Sequence, residues 1–419
     1  MNLISILALA LAMDSIPADS TVVSSVSNPQ PKQTDSAVAV VEKDSIKGFK
    51  FETIDSVAIT PVKDQFKSGT CWSFSGIGFF ESELLRMGKP AIDLSEMFVV
   101  SKTMMDRAEY CVRMYGDVKF AGGGSAYDVL YCLDNYGLVP QSIMPGIEYA
   151  TTKEDTLPVH KELDALMKGY VKALTTSNIK RLTPVWKKGF QAILDTYLGQ
   201  CPDTFTINGE LYSPKTYAES LGLDARHYVS LTSFTHHPFY SRFACEVPDN
   251  WRMGMSYNLP LDEMMETIDF AIANGYTIVW ATDVSEPAFS RSGIAQVPDE
   301  ESEDVIGSDM AKWLGLKETQ KKEKLTKQPL PEKVITQELR QTAFDNWETT
   351  DDHGMQIFGI AKDQNGKKYY MVKNSWGTVK SDYHGIWYVT EAFVRYKTMN
   401  LLLNKNGIPE PTRKRLGIK

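Results

Sequence analysis

Residues 64–74 of the chain read Asp-Gln-Phe-Lys-Ser-Gly-Thr-Cys-Trp-Ser-Phe, a polar loop that leads into an apolar pattern. Apolar residues then recur at helical spacing up to Leu85, and Gly88 ends the pattern, which predicts a helix over residues 71–87. Cys71 would lie in its first turn, where unpaired N–H groups and the helix dipole lower the pKa of a thiol. Because a thiol attacks as the thiolate, Cys71 is a candidate nucleophile.

A nucleophilic thiolate needs a base that keeps it ionised and later protonates a leaving amine, a role suited to His. Residues 354–375 predict two strands around a polar turn, with His353 just before the first strand and Asn374 at the end of the second. A four-residue loop, Lys362 to Asn365, would pair Ala361 with Gly366 and place His353 opposite Asn374. A two-residue turn would leave them about four places out of step. We predict the longer loop, in which the Asn374 amide orients the His353 ring.

Two further residues complete this candidate site. The side-chain amide of Gln65, six residues before Cys71, could stabilise an oxyanion together with the backbone N–H of Cys71. Trp376, two residues after Asn374, could cover the His and Asn pair from water.

Gln65, the segment Gly69 to Phe74, His353 and the run Asn374 to Gly377 together resemble the papain family of cysteine peptidases in order and residue type. Position 68 is Ser. The Cys that forms a structural disulfide at that place in papain itself is therefore absent.

His353 lies 282 residues after Cys71, whereas about 130 to 150 residues separate the two in papain-like enzymes. The large insertion, with Leu94 to Glu96, Gly122 to Gly124 and Tyr136 to Pro140, is similar to bleomycin hydrolase and bacterial aminopeptidase C. This resemblance covers about residues 48–398.

The resemblance implies an α+β, two-lobed papain-like fold, with a helical lobe, a β-barrel lobe and a large, mostly helical insertion. It also implies that Gly123, Gly124 and Trp376 bind substrate and that the protein is a homo-oligomer, a hexamer that encloses its active sites. The activity implied is removal of single residues from peptide N-termini, with the C-terminal arm lying in the cleft. The last twenty residues, 400–419, do not resemble the family's arm, so the exopeptidase prediction is weaker than the cysteine peptidase prediction.

The domain organisation follows from composition. Leu3 to Met13 is apolar except for Ser5, and residues 1–13 read as a signal peptide. We therefore expect export to the periplasm or the extracellular space, or a cytoplasmic location if that segment is not a signal. Residues 14–47 lack aromatic residues and read as a flexible linker. Residues 48–399 form the predicted peptidase domain, with the insertion at about 151–250, and residues 400–419 form the C-terminal tail.

Composition also excludes some classes of function. The net charge of -8 disfavours nucleic acid as a partner. No Cys-x-x-Cys pair occurs among the five cysteines, and His236, His237 and His384 lack spaced ligand partners, so we predict neither a metal site nor a cofactor. Cys111 and Cys132 are expected to be buried thiols or a pair, and no membrane span is expected in the mature chain.

Three functions remain open at this stage. The first is an aminopeptidase that works through an acyl-enzyme on Cys71. The second is an endopeptidase with the same chemistry and an open cleft. The third is an inactive papain-fold binding protein, against which the complete set of catalytic residue types argues.

Overall fold

The computed structural model describes residues 48–148, 161–299, 316–379 and 381–419. Its helices are α1 (Cys71–Arg86), α2 (Glu96–Arg113), α3 (Ala126–Asn135), α4 (Lys161–Thr176), α5 (Val185–Leu198), α6 (Pro214–Leu221), α7 (Leu261–Ala273), α8 (Glu318–Leu325), α9 (Gln337–Asp345), α10 (Glu391–Lys397) and α11 (Glu410–Arg415). The predicted signal peptide, residues 1–13, and the predicted linker, residues 14–47, lie outside the described residues.

The strands are β1 (Phe51–Ser56), β2 (Phe205–Ile207), β3 (Glu210–Tyr212), β4 (Tyr228–Thr232), β5 (Arg242–Ala244), β6 (Met255–Asn258), β7 (Ile278–Thr282), β8 (Ile294–Ala295), β9 (His353–Asp363), β10 (Lys368–Lys373), β11 (Ile386–Thr390) and β12 (Thr398–Asn404). Ten of them form one sheet in the order β5-β6-β4-β12-β7-β9-β10-β11-β8, and β1 pairs with β9. The pairs β4 with β6 and β8 with β11 are parallel, and the other pairs in this sheet are antiparallel.

Helix α1 confirms the helix predicted over residues 71–87. It begins at Cys71, and the chain leaves it at Gly88, whose φ of +75° is open to glycine at little cost. Nearly all its side chains up to Leu84 are buried, because the helix is covered by other helices on one side and by β9 on the other. Cys71 is thereby placed at the boundary between helices and sheet.

A buried ion cluster joins α1 to α2. The Nζ of Lys63 lies 3.1 Å from Oε1 of Glu81 on α1 and 2.6 Å from Oε1 of Glu96 on α2. Both carboxylates are buried, and a buried carboxylate without a partner is strongly destabilising. Lys63 therefore ties the two helices together on the side from which the chain enters α1.

The core is divided between two clusters. The first lies among α1 to α6 and contains Phe79, Phe98 and Phe190. The second lies around the sheet and includes Trp280 and Trp387. This is the two-lobed α+β arrangement predicted from the sequence, and the fold class is confirmed.

The β9–β10 hairpin has a different register from the one predicted. Ala361 pairs with Tyr369, not with Gly366. The turn is tighter because the Asp363 side chain accepts hydrogen bonds from the N–H groups of Asn365 (2.8 Å) and Lys367 (3.0 Å). The loop has three residues and consists of a type I turn followed by a bulge, which is completed by Gly366 with a φ of +81°. The predicted four-residue loop is therefore wrong.

A β-bulge further along the hairpin places the side chains of His353 and Asn374 on the same face of the sheet. Gly359 pairs with Met371 and Ile357 with Val372, which leaves Phe358 as an extra residue on β9. Without the bulge, the side chains of His353 and Asn374 would point to opposite faces of the ladder. With it, Asn374 is two residues from the position opposite His353 and on the same face.

The predicted insertion, residues 151–250, is helical only in its first part. Helices α4, α5 and α6 join the helical lobe, but β4 and β5 are strands of the main sheet. Residues 228–250 therefore belong to the β lobe. In the part of the chain that the structure describes, no helix is long and apolar enough to cross a bilayer.

The C-terminal tail packs mainly against the sheet and α7, although Asn404 also donates a hydrogen bond to Glu83 of α1. Strand β12 lies between β4 and β7, and the residues after it contact α7. Thr412 donates a hydrogen bond to Glu263, Arg415 forms an ion pair with the same carboxylate, and Leu416 is buried against the sheet core. The arm in the cleft that the family resemblance implies is thus replaced here by a segment fixed to α7.

Candidate active site

The sulfur of Cys71 lies where the first turn of α1 meets the start of β9. Hydrogen bonding from the backbone of Gly354 and Trp72 acts to lower the pKa of the Cys71 thiol. Gly354 allows this approach, because a Cβ at that position would lie 2.9 Å from Ser75 Oγ and 3.4 Å from Trp72 Cα. Gly354 directly follows His353 in the chain, and the thiol of Cys71 and the imidazole of His353 line the same cavity.

His353 and Asn374 form the hydrogen bond that the sequence suggested. The Nε2 of His353 lies 2.8 Å from the Oδ1 of Asn374, which also accepts a 2.7 Å bond from the N–H of Ser375. Because Oδ1 is the acceptor in both, Nε2 carries the proton and Nδ1 is left as the basic nitrogen. The indole of Trp376 covers the His353 ring, with centroids 4.7 Å apart.

Burial shifts the pKa values of both reactive groups. It raises the pKa of the Cys71 thiol to about 12, opposed by the hydrogen bond from the Gly354 backbone, and lowers the pKa of His353 to about 4, opposed by Asn374. Each shift disfavours a lone charge. A thiolate beside an imidazolium has no net charge, so burial penalises that pair less than either ion alone, and ionisation of Cys71 depends on proton transfer to His353.

Gln65 is fixed next to this pair. Its Oε1 accepts a hydrogen bond from Ser375 Oγ (2.6 Å), and its Nε2 donates to the carbonyl of Ser68 (2.9 Å). An amide nitrogen has two N–H bonds, so one remains for an oxyanion. The backbone N–H of Cys71, at the first position of α1, is a second donor without an acceptor inside the helix.

The glycine loop before α3 packs on Trp72. The Nε1 of Trp72 donates to the carbonyl of Gly122 (3.3 Å), and a Cβ on Gly124 would lie 2.8 Å from the Trp72 ring. The carbonyl of Gly123 accepts a hydrogen bond from Arg107, a buried side chain of α2. Gly124 lines the same cavity as Cys71, as expected for a residue that contacts substrate.

This cavity has an acidic end. Besides Cys71 and His353, it is lined by Asp249, Asp351 and Asp352. The carboxylate of Asp249 lies 3.5 Å from Arg107 and so close to Gly123 that no Cβ would fit there. Asp351 makes no side-chain hydrogen bond or ion pair among the described residues.

The acidic side chains influence one another and the thiol. Burial, and next the charge of Asp249, raise the pKa of Asp351 to about 8. Asp351 and Asp249 in turn both act to raise the pKa of Cys71. A cationic group bound at this end would reverse these effects, because it would favour ionised carboxylates.

The structure thus brings together Gln65, Cys71, His353 and Asn374, with Trp376 and Gly124 at the edges. Gly123 does not line the cavity but packs against Asp249. Sequence reasoning missed Asp249, which belongs to the segment assigned to the insertion, and gave no role to Asp351 or Gly354. The position of Asp351, two residues before the candidate base, was the one available signal.

None of the five cysteines forms a disulfide in the structure. Cys111 and Cys132 are separate buried thiols rather than a pair. Burial raises the pKa of Cys132, and that of Cys245, to values well above the ordinary thiol range. Cys111 and Cys132 lie in the core of the helical lobe, Cys245 lies in a smaller cluster with Phe243, and none of the three lines the Cys71 cavity.

Comparisons with known proteins agree with this geometry. The model of the papain family cysteine proteases matches residues 49–180. A cathepsin L-like peptidase of Aedes aegypti is 33% identical over 114 residues, which cover 27% of this chain and 30% of that protein. Human cathepsin L2 is 32% identical over 89 residues, 21% of this chain and 24% of that protein. The matched stretch therefore spans less than a third of these relatives.

A solved structure extends the likeness over most of the chain. The crystal structure of PepW from Lactobacillus rhamnosis superposes with a TM-score of 0.64 and covers 87% of this chain and 84% of its own. At 17% identity, this likeness shows a shared fold. Taken with the matched segment around Cys71, it shows that the chain has a papain-like two-lobed α+β fold, in which Cys71 and His353 line one cavity and Asn374 bonds to His353.

Proposed function

We propose that this protein is a cysteine peptidase that hydrolyses peptide bonds through an acyl-enzyme on Cys71. The observation that carries the proposal is the hydrogen bond from His353 Nε2 to Asn374 Oδ1, because it leaves Nδ1 as a base for the Cys71 thiol. Thiol and imidazole line the same cavity. An inactive binding protein would have no need of this tautomer.

The reaction follows from these contacts. His353 Nδ1 takes the thiol proton, and the sulfur attacks the scissile carbonyl carbon to form a C–S bond. The Cys71 N–H and the free N–H of Gln65 stabilise the oxyanion. The imidazolium protonates the leaving amine as the C–N bond breaks, and water, deprotonated by His353, then hydrolyses the thioester. These steps use only side chains of the protein and water.

A more specific form of this proposal is that the peptidase is an aminopeptidase. In papain-like enzymes the loop that corresponds to Gly123 and Gly124 binds the backbone of the substrate's acyl part. Here the Asp249 carboxylate blocks that loop at Gly123, and Asp351 lines the same cavity. Two carboxylates at the far end of a short acyl site suit a substrate α-ammonium. They would take the role that the family resemblance gives to the C-terminal carboxylate.

Endopeptidase action is the second candidate. The observation that favours it is the position of the tail, since residues 400–419 do not line the Cys71 cavity. In this case Asp249 and Asp351 would pair with a Lys or Arg side chain of a longer substrate.

One assay separates these functions: kcat/KM for free-amine aminoacyl amides and for the same compounds with an N-acetyl group, in wild type and Cys71→Ala. The aminopeptidase prefers the free amine by at least about tenfold, the effect of one favourable charge pair. Cleavage of acetylated peptides, strongest after basic residues, would support the endopeptidase. Equal hydrolysis by wild type and Cys71→Ala would refute the mechanism.

The family resemblance also supports two proposals about context. We propose that the chain assembles into a homo-hexamer, which sedimentation of the purified protein would test. We also propose that residues 1–13 direct export, which the N-terminal sequence of the mature protein would test.

A further inference from the structure

The loops that follow β4 and β5 bring together two histidines and a glutamate. His236 and His237 lie after β4, and Glu246 lies two residues after the end of β5. Both strands pair with β6, and the contacts of Glu246 with the two histidines show that the segments after β4 and β5 meet. The sequence shows no ligand spaced for this His pair, but the fold supplies one from nine and ten residues further along the chain.

The three side chains face one another through their metal-binding atoms. The Nε2 of His236 lies 3.1 Å from Oε2 of Glu246, and the Nε2 of His237 lies 3.0 Å from Oε1 of the same carboxylate. The three ligand atoms lie within 4.8 Å of one another. In tetrahedral zinc sites, with bonds of about 2.0 to 2.2 Å, neighbouring ligand atoms are about 3.3 Å apart. Small rotations of these side chains would therefore place all three around one ion.

The imidazoles are held in place by aromatic rings. His237 stacks on Phe243, with centroids 4.2 Å apart and an interplanar angle of 22°. His236 stacks on Phe344 of α9 at 5.6 Å and 19°. Phe243 belongs to a buried cluster that Phe344 packs against, so each histidine rests on a fixed support. Rings that are already oriented lose little freedom when they bind an ion.

An outer hydrogen bond orients His236 as metal-binding histidines usually are. Its Nδ1 lies 3.4 Å from Oε1 of Gln341, to which an Nδ1–H can donate so that Nε2 is left free for an ion. The amide nitrogen of Gln341, at 3.0 Å, can donate only to an unprotonated Nδ1. Gln341 is itself fixed by the N–H of Thr235 (2.6 Å) and by Asp345 (2.9 Å). This contact directs the other ring nitrogen, Nε2, towards Glu246.

We propose that His236, His237 and Glu246 bind a divalent transition metal ion, zinc by the chemistry of the donor set. Two imidazole nitrogens and one carboxylate oxygen form a known zinc ligand set, with the fourth position open to water. His237 is partly buried, while His236 and Glu246 are exposed, so an ion can enter from solvent. The site is separate from Cys71 and does not depend on the proposed function.

The backbone connects this site to the active-site cavity. The side chain of Asn250 donates to the carbonyls of Cys245 (3.0 Å) and Gly254 (3.1 Å), which fixes the segment from 245 to 250. Glu246 and Asp249 both lie on this segment, and Asp249 lines the Cys71 cavity. Metal binding at Glu246 therefore stabilises the segment that carries Asp249.

The test is titration of Zn²⁺ into the full chain by calorimetry, in a Cys71→Ala background because a thiol and an imidazole can bind zinc themselves. The proposal predicts one ion per chain. Glu246→Gln and His237→Ala should each weaken binding at least about 100-fold, and Gln341→Leu about tenfold, as for loss of an outer partner. His227→Ala, which removes an exposed histidine elsewhere, is the matched control and should bind as the parent does.

Several outcomes would overturn the proposal. One is the absence of Zn²⁺ binding tighter than about 100 µM in the Cys71→Ala protein, an affinity of roughly 5.5 kcal/mol. Another is binding that Glu246→Gln leaves unchanged. To separate misfolding from ligand loss, Co²⁺ spectra are recorded for parent and variants whose thermal unfolding is cooperative. Tetrahedral bands that persist in Glu246→Gln would also refute the assignment.

Discussion

The two ends of the cavity at Cys71 are built differently. At the catalytic end, Gln65, His353 and Asn374 each have a hydrogen-bond partner that fixes their orientation. At the acidic end, Asp249 has a single 3.5 Å contact to Arg107, and Asp351 makes no side-chain hydrogen bond among the described residues. The first end is organised for a charge that develops during the reaction, whereas the carboxyl groups of the second have few partners of their own and are available to a charge that the substrate brings.

Replacing His353 by Ala should have the largest effect on the catalytic end. Without the base, the buried thiol keeps its proton, because burial raises its pKa to about 12. We expect kcat to fall by about 10⁴-fold, the upper range for general acid–base catalysis. The measurement is steady-state hydrolysis of a free-amine aminoacyl amide. His227→Ala is the control and should keep wild-type kcat. A loss of less than tenfold in a folded His353→Ala protein would contradict the assigned role.

Loss of the oxyanion donor Gln65 should have the next largest effect on kcat. Gln65→Ala removes one N–H donor and should lower kcat by about 10²-fold with little change in KM, because the bond strengthens only in the transition state. Gln364→Ala, at the β9–β10 turn, serves as control. If Gln65→Ala raised KM and left kcat unchanged, Gln65 would bind substrate in the ground state instead.

At the acidic end the effects should be smaller and should depend on the substrate. Asp249→Asn keeps an oxygen for Arg107 but loses the negative charge. We expect kcat/KM for free-amine substrates to fall about tenfold at pH 8, with N-acetylated substrates unaffected. Equal losses for both substrate types would mean that Asp249 serves only to position Arg107 and Gly123. Asp351→Asn is the second variant, because the Asp351 side chain has no hydrogen-bond partner among the described residues that the substitution would remove.

The pH dependence gives the smallest but most specific effect. Burial and the charge of Asp249 raise the pKa of Asp351 to about 8, so its carboxyl group is neutral at pH 7 and ionises as pH rises. For free-amine substrates, kcat/KM should therefore rise between about pH 6 and 8, and then fall as the α-ammonium deprotonates.

The same acidic pair predicts how that profile moves. Asp249→Asn removes a negative charge beside Asp351, which lowers the pKa of Asp351 and shifts the rising limb to lower pH. Acetylated substrates carry no cation and should show no such limb. If free-amine and acetylated substrates gave superimposable profiles, Asp351 would have no part in recognition.

How much the sequence could predict also differs between the two ends. The catalytic residues are contained in short motifs, and α1 follows from apolar spacing and Gly88, so helix, fold class and residue set could be inferred. The register of the hairpin could not be inferred, because it depends on the turn at Asp363 and on the bulge at Phe358. The carbonyl of Phe358 accepts a hydrogen bond from the N–H of Val57, which lies far away in the sequence.

The acidic end depends on contacts between distant segments. Asp249 meets Gly123 only because the segment after β5 packs beside the loop that precedes α3. The same holds for the tail, whose Thr412 and Arg415 contact Glu263 on α7. No local pattern in residues 400–419 specifies that partner. A charged side chain close in space but far in sequence leaves no periodic signal.

The rate at which iodoacetamide alkylates Cys71, measured against pH in wild type and His353→Ala, tests the central claim most directly. We expect fast alkylation of wild-type Cys71 down to about pH 6, where a free thiol hardly reacts. In His353→Ala the reaction should become appreciable only in strongly alkaline solution, because the isolated thiol has its pKa raised to about 12. Identical pH profiles for the two proteins, both following an ordinary thiol, would contradict activation of Cys71 by His353.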